Sequence, residues 1–177
     1  GAVRYIQSNL LGFGNVIVCC EKYNVKHFVY ASSSSVYGEN STTPFKESEV
    51  LGPVKSLYAA TKRSNKLNAQ AYASSYSVSS TGLRFFTVYG PWSRPDMAVF
   101  TFARKMVDGE EIQLYGGGEL LRDFTYIGDV VDSIEKLLLN VEDLNLGIDP
   151  PSNHRILNVG LGNPRSVNEL VSILEKH

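Results

Sequence analysis

Tyr58 and Lys62 stand four residues apart in Ser-Leu-Tyr-Ala-Ala-Thr-Lys, residues 56–62. On a helix, positions i and i+4 share a face, with Cβ atoms about 5–6 Å apart. An ammonium beside a phenol stabilises the phenolate and lowers a phenol's pKa from about 10. A tyrosine in that setting can act as a general base near neutral pH. The chain has ten tyrosines, so chance produces such spacings readily. Taken alone, the pair reads more simply as two neighbours on the surface of an amphipathic helix.

Two further clusters follow apolar runs. Ser32-Ser33-Ser34-Ser35-Val36-Tyr37-Gly38 comes straight after His27–Ala31. Open parallel sheets bind ligands beyond the carboxyl ends of their strands. Hydroxyls there can hydrogen-bond a sugar or a reacting oxygen. A solvated loop or a helix cap explains the serines equally well. Phe85-Phe86-Thr87-Val88-Tyr89-Gly90-Pro91-Trp92 offers a hydroxyl and aromatic walls at another strand end. Core packing accounts for one of Phe85 and Phe86.

These residues need a scaffold, and the hydrophobic pattern supplies one. Apolar residues recur at helical spacing over 6–23, with Asn24 as a stop. His27–Ala31 is apolar on both faces, as a strand inside a parallel sheet would be. A polar loop covers 38–57, and 57–76 reads as a helix. Gly82–Phe86 is a second strand, 87–96 a loop, and about 97–108 a helix stopped by Gly109. Ile112–Tyr115, the turn Gly116–Gly118 and Leu120–Tyr126 suggest a hairpin. Then come a helix over 129–140, a loop with Pro150-Pro151, and the strand Ile156–Val159. Ser166 with Glu169 forms a capping box for a last helix. Alternation of strands and helices predicts an α/β fold with a mostly parallel sheet.

Composition narrows the function. Hydrophobic residues make up 43% and charged residues 20%, which is a globular composition. The net charge of -1 leaves no electrostatic footprint for nucleic acid and no basic face for a membrane. No apolar run approaches the ~20 residues that span a bilayer. Cys19 and Cys20 are adjacent and unsuited to a mutual bridge, which fits a reducing, cytoplasmic setting. The three histidines are scattered without partners at ligand spacing, so no metal site is expected. Gly160-Leu161-Gly162 lacks a third glycine, Arg165 taking that place, and is not read as a dinucleotide loop. Asn40-Ser41-Thr42 fits a glycosylation acceptor, with nothing else pointing to secretion.

In combination these motifs are far more specific. The serines after a strand, Tyr58-x-x-x-Lys62 on a helix, and a strand running into Phe-Phe-Thr-Val-Tyr-Gly-Pro resemble the extended short-chain dehydrogenase/reductase family. That is the group of NAD-dependent nucleotide-sugar epimerases and dehydratases. Residues 56–62, 82–92, 94–98 and 122–127 look like its UDP-glucuronate 4-epimerase branch. The resemblance covers about residues 8–135, and more loosely the rest. It implies a Rossmann-like sheet over 1–90, and over 91–177 part of a small C-terminal substrate lobe with the last Rossmann elements.

The resemblance also implies roles. Tyr58 matches the catalytic base, Lys62 the lysine that holds the nicotinamide ribose, and Ser33 the hydroxyl that hydrogen-bonds the reacting 4-hydroxyl. Tyr58, Lys62 and Phe86 would lie against NAD. Ser34 and Ser35 stand where the related dehydratases carry Asp-Glu, which disfavours dehydration. With Thr87 and Arg94 they form a candidate reader of a sugar carboxylate, since charge-assisted hydrogen bonds are about twice as strong as neutral ones. Arg122 matches a diphosphate-gripping arginine, and Gln113 and Tyr115 lie where the family contacts uracil. The implied reaction is 4-epimerisation of a UDP-sugar, UDP-glucuronate to UDP-galacturonate, through a 4-keto sugar. The implied assembly is a homodimer that pairs the helices at 6–23 and 57–76 into a four-helix bundle.

The sequence departs from the family at its start. No Gly-x-x-Gly-x-x-Gly follows a first strand, so the glycine-loop half of the sheet is expected to be absent, and Gly1 leaves room for an upstream segment. Gly128 replaces an acidic residue near the site. Another nucleotide-sugar epimerase, or an inactive chain that only binds UDP-sugar or a partner, are the alternatives.

Overall fold

A computed structural model describes residues 1–38, 43–140 and 153–176. The Asn40 acceptor motif and Pro150-Pro151 lie outside the described residues. The chain forms two compact units: Gly1–Phe85 with Leu137–Val159, and Phe86–Lys136 with Gly160–His177.

The first unit opens with helix α1 (Ala2–Tyr5), which runs into a π-helical turn (Ile6–Gly12) and then α2 (Phe13–Lys22). The helix expected over 6–23 therefore starts earlier and contains a π segment. Asn24 ends it in the left-handed region, at φ 50°. Strand β1 covers Phe28–Ser33, and a 3-10 turn follows over Ser34–Tyr37. Two of the four serines thus belong to the strand rather than to a loop, and Ser32 is buried. Helix α3 spans Leu57–Tyr76, as its periodicity predicts. Strand β2 (Ser80–Phe85) and the later strand β6 (His154–Val159) complete a parallel sheet ordered β1-β2-β6.

Phe13, Ile17, Cys20, Tyr30, Ala69 and Val78 form the core of this unit, with Phe28, Tyr72 and Ile156 packed on it. Phe13 meets the rings of Tyr30 and Phe28 at 5.2 and 5.6 Å. Ala69 and Ala73 are small enough to let α3 lie close to the sheet.

The start of this sheet is held by polar groups that need to be uncharged. His27 contacts the Ser79 and Thr81 hydroxyls at 2.8 Å each, and His154 contacts the Ser80 hydroxyl at 3.0 Å. Burial, then the nearby Lys66 charge, lowers the His154 pKa to about 4. Burial, then Arg155, lowers that of His27. Both imidazoles are neutral in the fold, while the unfolded chain binds their protons near pH 6.5. Stability is therefore unaffected above pH 6.5 and falls as the pH drops from there towards about 4. A shift of this size in His154 alone is worth on the order of 3 kcal/mol. Urea midpoints measured from pH 7.5 to 4.5 should fall steeply, and His154→Gln should flatten the slope. A slope unchanged in that variant would disprove the assignment.

The second unit contains strand β3 (Thr87–Tyr89), helix α4 (Ala98–Val107), strands β4 (Leu121–Arg122) and β5 (Phe124–Tyr126), the start of helix α5 (Ile127–Leu139), strand β7 (Arg165–Ser166) and helix α6 (Val167–Leu174). Gly109 follows α4 with φ 69°, as a helix stop should. The capping box of Ser166 and Glu169 is present in both directions.

The hairpin over 112–126 does not form. Gly116, Gly117 and Gly118 all have positive φ, which curls the chain into a 3-10 turn instead of folding two strands together. The second arm then pairs elsewhere. β4 runs antiparallel to β7, and β5 runs parallel to β3. The segment expected as a loop from 87 therefore begins with a strand.

Candidate active site

Helix α3 presents the predicted dyad in its first two turns. Ser56 caps it, its hydroxyl accepting from the Ala59 N–H at 3.1 Å. Tyr58 is half-buried one residue inside the helix. The Lys62 Nζ donates to the Ala31 carbonyl at 2.9 Å and lies 5.8 Å from the centre of the Tyr58 ring. Burial lowers the Lys62 pKa. Lys62 is thus tied to β1 two residues before Ser33, the last residue of that strand. The Ser33 hydroxyl accepts from the Ser35 N–H at 3.2 Å and so starts the 3-10 turn. Ser34 is half-buried and Ser35 exposed.

A third group supports the dyad and was not anticipated from the sequence. The Asn9 amide, inside the π turn, donates to the Thr61 hydroxyl at 3.0 Å. That hydroxyl donates in turn to the Tyr58 carbonyl at 2.7 Å. The Asn65 amide, in the orientation that satisfies both its ends, donates to the Asn9 carbonyl at 2.7 Å and the Thr61 carbonyl at 3.1 Å. Thr61 and Asn65 are buried, and the Tyr5 ring meets that of Tyr58 at 5.7 Å. The Asn9 carbonyl that accepts from Asn65 thus lies inside the π turn. The sequence signal is faint: two polar residues, Thr61 and Asn65, in line with the buried Ala69 and Ala73.

The remaining predicted residues lie in the second unit. Phe86 is half-buried beside Gly160, where an added Cβ would come within 3.1 Å of the Phe86 ring. Thr87 opens β3, and its N–H donates to the Asp123 carbonyl at 3.0 Å. The Asp123 carboxylate accepts from the Leu161 and Gly162 N–H groups at 2.9 and 2.6 Å and fixes that turn. This is the structural use of the Gly160-Leu161-Gly162 segment. Arg94 forms a two-pronged pair with Asp96 and holds that carboxyl below the usual range. Arg122 is exposed and donates to the Leu121 carbonyl at 2.8 Å. Gln113 and Tyr115 are also exposed. Among the described residues there is no group of three or more His, Cys, Asp or Glu side chains able to hold a metal ion. Nor is any helix there long and apolar enough to cross a membrane.

A parallel α/β sheet with a Tyr-x-x-x-Lys dyad on the helix beside a serine-tipped strand defines a protein of the short-chain dehydrogenase/reductase class. The chain belongs to the NAD dependent epimerase/dehydratase family, whose model matches residues 1–160. It is 44% identical over 97% of its length to Protein CapI of Staphylococcus aureus, covering 54% of that protein. It is 41% identical over 97% of its length to the probable UDP-glucuronate 4-epimerase of Rhizobium meliloti, covering 53% of it. Among solved structures, UDP-glucuronic acid 4-epimerase from Bacillus cereus, in complex with UDP-glucuronic acid and NAD, superposes with a TM-score of 0.82. That match is 30% identical and covers 97% of this chain and 52% of the other. The chain spans about half the length of these relatives.

Proposed function

We propose that this chain carries the catalytic half of a UDP-sugar 4-epimerase, and that its substrate is UDP-glucuronate. The observation that carries the reading is Lys62, fixed between the Ala31 carbonyl and the Tyr58 ring. An ammonium has three N–H bonds. One goes to Ala31 among the described residues, which leaves two for the hydroxyls of a nicotinamide ribose. The residues present therefore suit that side of NAD. Bound NAD supplies a hydride acceptor and donor at the sugar C4.

The protein's own part is proton handling and positioning. The Tyr58 oxygen accepts the proton of the sugar 4-hydroxyl and later returns it. Lys62 keeps a positive charge beside that oxygen while it is charged. Ser33 hydrogen-bonds the reacting oxygen and holds its geometry. Ser34 and Ser35 provide no carboxylate to remove a further proton, so the reaction stops short of dehydration. Thr87 and Arg94 are the proposed uronate readers, and reading a carboxylate requires Arg94 to exchange Asp96 for it. Arg122 is assigned to the diphosphate, and Gln113 and Tyr115 to the uracil. Exposed Leu11, Val18 and Leu67 on the α1–α2 and α3 segments support a homodimer through these helices. A monomer by light scattering would refute that assembly. The free Cys19 and Cys20 fit a cytoplasmic home.

The decisive experiment grafts this chain onto the Rhizobium meliloti relative in place of its matching segment. Incubation with NAD and UDP-glucuronate is followed by NMR. UDP-galacturonate should accumulate, with UDP-glucose and UDP-xylose turned over far more slowly. A folded graft that is inactive on all three sugars would refute the reading. Preference for a neutral sugar would keep the epimerase and refute the uronate.

A further inference from the structure

Asn158 interrupts the otherwise apolar end of β6, Ile156-Leu157-Asn158-Val159. It stands level with Ser32 on β1 and Arg84 on β2, one residue before each strand ends. Its half-buried side chain uses both ends of the amide. The Tyr37 hydroxyl donates to its Oδ1 at 2.6 Å, and its Nδ2 donates to the Phe45 carbonyl at 3.0 Å. Its backbone N–H, on an outer strand of the sheet, donates to the Glu47 carboxylate at 2.8 Å. Tyr37 is fully buried, and its ring stacks on Phe45 at 4.4 Å and meets the Arg84 guanidinium at 4.6 Å.

These bonds join two segments. One is the 3-10 turn Ser34–Tyr37, whose Ser35 N–H donates to the Ser33 hydroxyl. The other is the segment 45–53, which runs against the end of that turn. A Cβ added at Gly38 would stand 2.2 Å from the Pro53 carbonyl oxygen. Arg63 makes a second joint, donating to the Val36 carbonyl at 2.9 Å and to that of Gly52. Buried polar networks whose groups are paired rigidify the structure around them. This one stands at the carboxyl ends of parallel strands, where sheets of this kind bind their ligands.

We propose that Asn158 is a positioning residue, which through Tyr37 and the segment 45–53 sets the place of Ser33, Ser34 and Ser35 relative to the reacting sugar. This role rests on the epimerase reading, in which Ser33 bonds the reacting oxygen. Asn158 acts through Tyr37 and not on the sugar itself. A displacement of about 1 Å in a positioned group can cost about 10²-fold in rate.

The test uses the grafted enzyme at a temperature where circular dichroism shows each variant folded. Asn158→Ala removes both side-chain bonds. Tyr37→Phe removes one and keeps the ring on Phe45 and Arg84. Both should lower kcat on UDP-glucuronate by about tenfold or more, with KM for NAD unchanged. The double variant should fall no further than Asn158→Ala alone, because the two residues act through one bond. Glu47→Gln keeps an acceptor for the Asn158 N–H and should retain turnover that Glu47→Ala loses. A merely structural role would lower the unfolding midpoint and leave kcat of the folded enzyme untouched. Trypsin cleavage after the exposed Lys46, mapped by mass spectrometry, reads the segment without turnover. It should be about tenfold faster in Asn158→Ala, as release of the segment raises the population open to the protease. With an active parent, kcat within about twofold of it in both Asn158→Ala and Tyr37→Phe would overturn the proposal. So would cleavage after Lys46 at the parent's rate in Asn158→Ala. An inactive parent graft would instead refute the epimerase reading and with it the catalytic use of Asn158, while the cleavage rates would still show whether Asn158 holds the segment.

Discussion

Tyr58→Phe should lower kcat of the grafted enzyme by about 10³-fold or more, with KM for UDP-glucuronate changed little. General acid–base catalysis by a positioned side chain contributes about 10²–10⁴-fold. Here one oxygen is asked to take and to return the proton in each turnover. Among the described residues the Tyr58 hydroxyl makes no hydrogen bond, and its ring contacts Tyr5 and Lys62. Phenylalanine preserves those contacts, so the unfolding midpoint should stay within a degree or two of the parent's. The pattern of lost kcat and retained stability separates chemistry from folding. Ser33→Ala should cost less, because it removes a hydrogen bond to the reacting oxygen and leaves the proton acceptor in place. Thr61→Val tests the support network by removing the hydroxyl that links Asn9 to the Tyr58 carbonyl. Turnover of Tyr58→Phe within tenfold of the parent would overturn the assignment of the base.

Much of this site was legible because its parts obey local rules. Helix α3 has a cap at Ser56, helix-forming residues and a buried row of small side chains. The position of Lys62 relative to Tyr58 followed from helical spacing alone. The central strands β1, β2 and β6 were legible as short apolar runs, each short by two residues at one end. The failures are non-local. A π turn costs one extra residue per turn, and nothing in Ile6–Gly12 marks it except the asparagine it turns towards Thr61. The predicted hairpin followed from a glycine turn between two apolar segments. β4 and β5 instead found distant partners in the chain: β7 lies after the sheet strand β6, and β3 before α4. Pairings of this kind depend on chain topology that a local pattern does not encode. The glycine run also curled more tightly than a two-residue hairpin turn. Arg84 reads in sequence as an alternating polar residue in a strand, and only the register of three strands reveals that it is buried.

That register makes Gly82 a position with no room for a side chain. Gly82 pairs with Tyr30 on β1 and Ile156 on β6, so all three face the same side. The Tyr30 ring lies across the glycine. A Cβ there would stand 2.5 Å from the Tyr30 Cζ and hydroxyl oxygen and 2.7 Å from the Ile156 Cδ1. The backbone at Gly82 is not in the left-handed region, so the requirement is space rather than conformation. The ring cannot easily move away. It is buried against Phe13 at 5.2 Å, and stacks on Phe28 at 5.7 Å and on His154 at 6.1 Å. Replacing glycine with alanine stiffens the unfolded chain, a gain of about 0.4–1 kcal/mol. Overpacking a filled core costs typically about 1–3 kcal/mol, and here two neighbours are inside contact distance at once. Gly82→Ala should therefore lower the urea midpoint clearly. It should also disturb Ala31, the residue after Tyr30, whose carbonyl seats Lys62. Tyr30→Leu removes the end of the ring and leaves a gap that the new methyl group partly fills. The double variant should be more stable than the sum of the two single changes by about 0.5–3 kcal/mol, the range seen for residues in contact. Strict additivity would show that the two side chains do not compete for the same space. A coupled recovery of stability would tie the fit of one glycine in β2 to the seat of Lys62, the lysine proposed to act in catalysis.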